Sequence, residues 1–284
     1  MFDPRIKDWF KESIGTPTEL QTRVWREISS GSNVLVVSPT GTGKTLSAVI
    51  PPVNDILCKR SSRGKTSLVY ISPMKALGAD LVRALRLLSD GLGRIEGKKE
   101  RKWGKGRRKK NEVLEDAKLH IGIRTGDVSQ TERRHMLLDP PDILVTTPEN
   151  LLLMLCSKAR DTLTSARYII IDEVHEMVPS KRGSLLSLCV EYLSRAIESN
   201  CSITPIRIGL SATVRPDTTA AKFLGGLDEH QRTRKVAIIR ETCTKETNIT
   251  IRTLADSIEG EDDTIEKIVG EIGNLMNTEK GSMV

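Results

Sequence analysis

The sequence predicts an α/β fold in which a parallel sheet is covered by helices on both faces. Three observations carry that expectation. Short runs that are apolar throughout alternate with segments of helical period, the pattern of strands buried on both sides. One run breaks abruptly into a glycine turn that opens a helix. Later runs end in small polar signatures, and in a parallel sheet the loops leaving the carboxyl ends of the strands gather along one edge. The signatures therefore belong to one composite site.

Taken in order, Pro4 to Ile14 and Glu19 to Ser29 read as two helices, the first with Trp9 and Phe10, the second with Leu20, Val24, Trp25 and Ile28 on one face. Asn33 to Val37 is a strand, and Leu46 to Cys58 a helix. Leu68 to Ser72 is a strand followed by a helix to about Leu88. Then come a strand at Leu119 to Ile123, a helix near Thr131 to Leu138, a strand at Asp142 to Thr146 and a helix from Glu149. Tyr168 to Ile171, Ile206 to Leu210 and Val236 to Ile239 are strands, separated by helices at Ser184 to Ser199 and near Thr218 to Leu224. No internal repeat is evident.

The glycine turn is Ser38-Pro39-Thr40-Gly41-Thr42-Gly43-Lys44-Thr45. A helix starting near Gly43 leaves its first N–H groups unpaired at the positive end of its dipole, a ready anion site. Gly41 and Gly43 let the chain wrap close to phosphate oxygens, with Thr40 and Thr42 between and beside them. Lys44 adds a point charge for β- and γ-phosphates, and the Thr45 hydroxyl is a Mg²⁺ ligand. Ser38 stands where the strict pattern has glycine, and is small enough to preserve it. After Ile169-Ile170-Ile171, Asp172 is placed to hold the metal through water and Glu173 to deprotonate an attacking water; capping of the next helix is the plainer use of an acid there. Further signatures are Ser72-Pro73-Met74-Lys75, Thr125-Gly126-Asp127, Thr147-Pro148-Glu149 and Ser211-Ala212-Thr213.

At 284 residues and 38% apolar content the chain has material for one large or two ordinary domains. No run approaches the roughly 18 apolar residues of a membrane span, and the first residues lack the apolar centre of a signal peptide, so the expected location is cytoplasmic. Cys58, Cys156, Cys189, Cys201 and Cys243 show no Cys-x-x-Cys pair, which argues against zinc or disulfides. The net charge of +7 is concentrated: Lys98 to Lys110 alone carries +8, and the rest sums to −1. That segment reads as a solvated, disordered insertion or as an auxiliary clamp on nucleic acid with Trp103 available to stack.

The order and spelling of these signatures resemble the first RecA-like domain of a superfamily-two helicase. The phrases Tyr70-Ile71-Ser72-Pro73-Met74-Lys75-Ala76-Leu77, Thr146-Thr147-Pro148-Glu149-Asn150-Leu151 and Ser180-Lys181-Arg182-Gly183 resemble its Lhr-like and Ski-like branches. The resemblance implies a nucleic-acid-dependent ATPase using ATP and Mg²⁺ on single-stranded or tailed DNA or RNA. It implies that Thr16 and Gln21 read adenine and that Phe10 stacks on the base, although packing beside Trp9 explains Phe10 equally well. Pro73, Lys75, Gly126, Thr147 and Glu149 match backbone-tracking positions, while His175, Ser211 and Thr213 match positions that couple nucleotide state to movement. Residues 1–250 then form the ATP-binding domain, with a basic insertion at 97–118, and 251–284 a linker and the truncated start of a second RecA-like domain, its partner. An ATP-gated clamp or translocase without strand separation is the alternative. A phosphotransferase would need a lid with arginines, which is not seen after Thr45.

Overall fold

The computed structural model describes residues 2–39, 41–58, 64–103, 119–212 and 216–241. Seven strands, β1 (Asn33–Val37), β2 (Leu68–Ile71), β3 (Ile121–Arg124), β4 (Ile143–Thr146), β5 (Tyr168–Ile171), β6 (Ile206–Ser211) and β7 (Val236–Arg240), form one sheet in the order β3-β4-β2-β5-β6-β1-β7. All the pairings are parallel, as the uniformly apolar strands predict. Alternate residues serve opposite layers. Val34, Val36, Tyr70, Ile170 and Ile208 join one core cluster, and Leu35, Val69, Ile71, Ile169 and Ile171 join the other.

The first layer contains α1 (Pro4–Ser13), α2 (Glu19–Ser29), α3 (Lys44–Cys58) and α4 (Lys75–Trp103). Asp3 and Pro4 start α1, and a reciprocal Thr18–Gln21 capping box starts α2. The indole of Trp9 occupies the space above Gly91 of α4, where a Cβ would overlap it. The helix α3 includes Pro51 and Pro52, both buried, which remove two backbone donors from its interior.

Helix α4 corrects one expectation. It does not end near Leu88 but runs for 29 residues, about 43 Å at helical rise, so Lys98, Lys99, Arg101, Lys102 and Trp103 continue a helix. Residues 104–118, the rest of the basic insertion, lie outside the described residues, as do 242–284, which include the expected linker and start of a second domain at 251–284. The described residues up to Glu241 belong to one compact unit.

The second layer is contributed by α6 (Pro148–Leu155), α7 (Arg160–Leu163), α8 (Val174–Met177), α9 (Lys181–Cys201) and α10 (Asp217–Gly225); α5 (Gln130–Leu138) is a more exposed helix after β3. The turn from α8 into α9 requires glycine at 183, because a Cβ there would collide with the carbonyl of Met177. Beneath α9 lies an ion network that periodicity does not reveal. Arg207, on β6 and 2% exposed, donates to Glu191 at 2.6 Å, to Gly225 O at 2.9 Å and to Ser194 Oγ at 2.9 Å. Arg234 completes it, with Nη1 3.0 Å from both oxygens of Glu191.

Candidate functional site

The sheet order decides which loops meet. β6 lies between β1 and β5, so the glycine turn after β1, Ser211 ending β6 and the acidic pair after β5 share the carboxyl edge. The amide of Ser38 donates to Ser211 O at 3.1 Å. Gly41 and Gly43 have φ of 77° and 84°, the region that glycine enters without strain. The hydroxyl of Thr42 donates to Pro39 O at 2.9 Å, which leaves Ser38 as the donor in the 2.6 Å Ser38–Thr42 contact. The serine in the glycine position therefore closes the loop upon itself. Lys44 Nζ donates to Ser38 O at 2.6 Å and to Ser211 O at 3.4 Å. Thr45 is half-buried in the first turn of α3, and Thr40 lies outside the described residues.

Across from the loop stands the acidic pair. Asp172 Oδ2 accepts the Tyr70 hydroxyl at 2.6 Å, and Oδ1 accepts the Glu173 amide at 2.9 Å. Burial, which holds Tyr70 well above the usual tyrosine range, keeps it a donor. Glu173 has a φ of 46°, left-handed backbone that non-glycine residues rarely adopt and that clusters at working sites. Its Oε2 is buried with no hydrogen-bond donor among the described residues. His175 Nδ1 lies 3.3 Å from that oxygen, but accepts the Ala212 amide at 3.5 Å and lies 3.3 Å from Ser211 Oγ. His175 and Ser211 thus join the acidic pair to the phosphate loop; Thr213 lies outside the described residues.

The electrostatics follow from burial and proximity. Desolvation pulls Lys44 down from the usual lysine range, against the opposing charges of Glu173 and Asp172. Burial raises Asp172, with Tyr70, the Glu173 amide and Lys44 pulling the other way. Burial also raises Glu173, and the charge of Asp172 adds to it. No three His, Cys, Asp or Glu side chains converge into a self-sufficient metal cage among the described residues. A Mg²⁺ shared with phosphate oxygens and waters fits this donor set of one hydroxyl and two carboxylates, and an orphaned carboxylate oxygen is a natural acceptor for its water.

The base-side expectations fare unevenly. Gln21 is 3% exposed; its Oε1 accepts the Thr18 amide at 3.0 Å, while a Cβ on Gly43 would lie 2.6 Å from its Nε2. Gln21 therefore rests on the phosphate loop with its oxygen already committed to the cap, which leaves its amide nitrogen for a ligand. Thr16 is exposed between α1 and α2. Phe10 is a correction. It is 4% exposed and meets Trp25 edge-on at 5.3 Å, so its ring belongs to the core rather than to a base.

The tracking positions also lie on the carboxyl edge. Thr147 is 5% exposed and accepts from Asn150 at 2.9 Å. Gly126 O accepts from Arg133 at 3.0 Å, and Lys75 opens α4. Glu149 pairs with Arg182 through two hydrogen bonds of 2.6 and 3.2 Å, and that guanidinium also donates to Pro73 O at 2.8 Å. The Arg182 hydrogen bond holds the Glu149 carboxyl below the usual range. Arg182 was legible only as part of its phrase. Two arginines were missed. Arg124 Nη1 and Arg133 Nε are buried without hydrogen-bond partners among the described residues, and burial followed by the charge of Arg133 pulls Arg124 down. A cavity of about 1070 Å³ lined by Lys65, Ser165 and Tyr192 opens at the opposite, amino edge and takes no part in this site.

The family model for DEAD/DEAH box helicases matches residues 18–221. The "Lhr helicase/ probable uracil glycosylase" of Mycolicibacterium smegmatis is 40% identical over 227 residues, 79% of this chain and 14% of its own. The "ATP-dependent helicase Lhr-Core" of Methanothermobacter thermautotrophicus is 36% identical over 278 residues, 96% of this chain and 29% of its own. The chain thus spans less than a third of either relative. Among solved structures, helicase Lhr of Mycobacterium smegmatis bound to ssDNA and AMP-PNP superposes with a TM-score of 0.78 at 34% identity, covering 96% of this chain and 33% of that one.

Proposed function

The chain belongs to the DEAD/DEAH box helicase family and is an Lhr-type helicase domain, and from that premise we propose that it binds ATP–Mg²⁺ on its carboxyl edge and tracks the backbone of a single nucleic-acid strand. One observation carries the nucleotide reading: the phosphate loop and the acidic pair face each other around β6, close enough for Lys44 to feel both carboxylates. Lys44 and the first amides of α3 hold the β- and γ-phosphates. Thr45 and Asp172 would hold a Mg²⁺, whose chemistry when bound is to neutralise phosphate charge, and Glu173 is placed to take the proton of the attacking water. The paired guanidiniums of Arg124 and Arg133, each with an unused N–H, support an anionic strand beside Gly126.

A second RecA-like domain would supply an arginine finger, which contributes roughly 10³-fold or more to hydrolysis in this chemistry. The chain alone is therefore expected to bind ATP–Mg²⁺ but to turn it over very slowly, with or without single-stranded DNA or RNA. A steady-state assay of phosphate release tests this, since vigorous strand-stimulated hydrolysis would sink the division of labour.

The shifted groups also fix a pH profile. Acid should weaken Mg²⁺-dependent nucleotide binding from above the usual carboxylate range, because Asp172 and Glu173 take up protons early. Alkali should weaken it from below the usual lysine range, because Lys44 gives up its proton early. Dissociation constants measured across pH check both limbs; limbs at the ordinary carboxylate and lysine positions would contradict the burial described.

A further inference from the structure

The hydroxyl of Tyr70 stands out because it is a polar group in an apolar layer. Tyr70 lies on β2 opposite Ile170 of β5, is 1% exposed and shares its core cluster with Val36, Val145, Ile170 and Ile208. Phenylalanine would fill the same space without desolvating a hydroxyl, which is costly to bury unless it is bonded. Strand alternation puts Asp172 on the same face as Ile170, and the tyrosine ring reaches one pleat along to donate to Oδ2 at 2.6 Å. The other oxygen takes the Glu173 amide at 2.9 Å. The carboxylate is thus held between two donors, one per oxygen, with lone pairs left over on both.

We propose that Tyr70 is a positioning residue for Asp172 and, resting on the nucleotide reading above, that it sets how tightly the site takes a divalent cation. It touches neither nucleotide nor metal. It fixes the side chain that does, and the loss of such an outer partner weakens metal affinity by roughly ten- to a hundredfold.

The test is a Mg²⁺ titration of the chain with a fluorescent, non-hydrolysable ATP analogue, read as the cation concentration at half-maximal binding. Y70F is expected to bind the analogue without metal as the wild type does, and to need roughly ten- to a hundredfold more Mg²⁺. Tyr70→Met, which also lacks the hydroxyl, should shift in the same direction. The control is Y168F, at the amino end of β5, where a second tyrosine bonds Asp55; it should alter thermal stability at most and leave the Mg²⁺ midpoint alone. A Y70F midpoint equal to that of the wild type, or a shift shared by Y168F, would overturn the role of Tyr70 while leaving the nucleotide site intact. Wild-type protein that binds the analogue equally with and without Mg²⁺ would overturn the site reading and this assignment with it.

Discussion

Glu191→Ala is expected to lower the melting temperature of the chain by roughly 6–20 °C. Among the described residues the carboxylate is the only anion bonded to Arg207, which is 2% exposed, and it also receives Arg234. Removing it leaves two guanidiniums facing each other beneath α9, one of them cut off from water. Breaking a buried ion pair from one side costs about 3–5 kcal/mol, because the remaining charge stays buried and uncompensated. In a unit of this size each kcal/mol moves the midpoint by about 2–4 °C. Glu191→Gln keeps one acceptor and should lose less. Thermal unfolding followed by circular dichroism measures both, and an alanine variant melting within a degree or two of the wild type would show that the network carries no stability.

Lys44→Ala should weaken binding of ATP–Mg²⁺ by about ten- to a hundredfold, the equivalent of the roughly 1.5–3 kcal/mol assigned to a charged hydrogen bond. Lys44 Nζ is parked on two carbonyls, Ser38 O and Ser211 O, on either side of the loop. A phosphate would therefore compete for an ammonium that is already in place, and the alanine variant would keep the loop but lose the charge. Titration with a fluorescent analogue reads the change. Unaltered affinity would mean that the phosphates do not lie on this loop, and would remove the nucleotide from the carboxyl edge.

The strands were legible because burial on both faces leaves an uninterrupted apolar run, as in Ile169-Ile170-Ile171, and the phosphate loop because its chemistry is local. What escaped was long-range or conformational. Arg207 looks like a solvated residue on an edge of β6, yet its partners lie 13 to 18 residues away. The pairing of Glu149 with Arg182, 33 residues on, is not announced by anything in its own segment. Helix α4 was cut short because like charges argue for solvent exposure, which a helix satisfies as readily as a loop. Phe10 belongs to the core because Trp25, from the next helix, packs against it. The left-handed turn at Glu173 has no signature in the letters themselves.

The placement of β6 between β1 and β5 has a consequence for synthesis. A nascent chain released after Cys201 would carry both the glycine turn and the acidic pair, yet nothing would hold them at the right separation, since the spacer strand begins at Ile206. Under the proposed function, affinity for nucleotide would then not be inherited from the motifs one at a time but would require β6 in its place between β1 and β5.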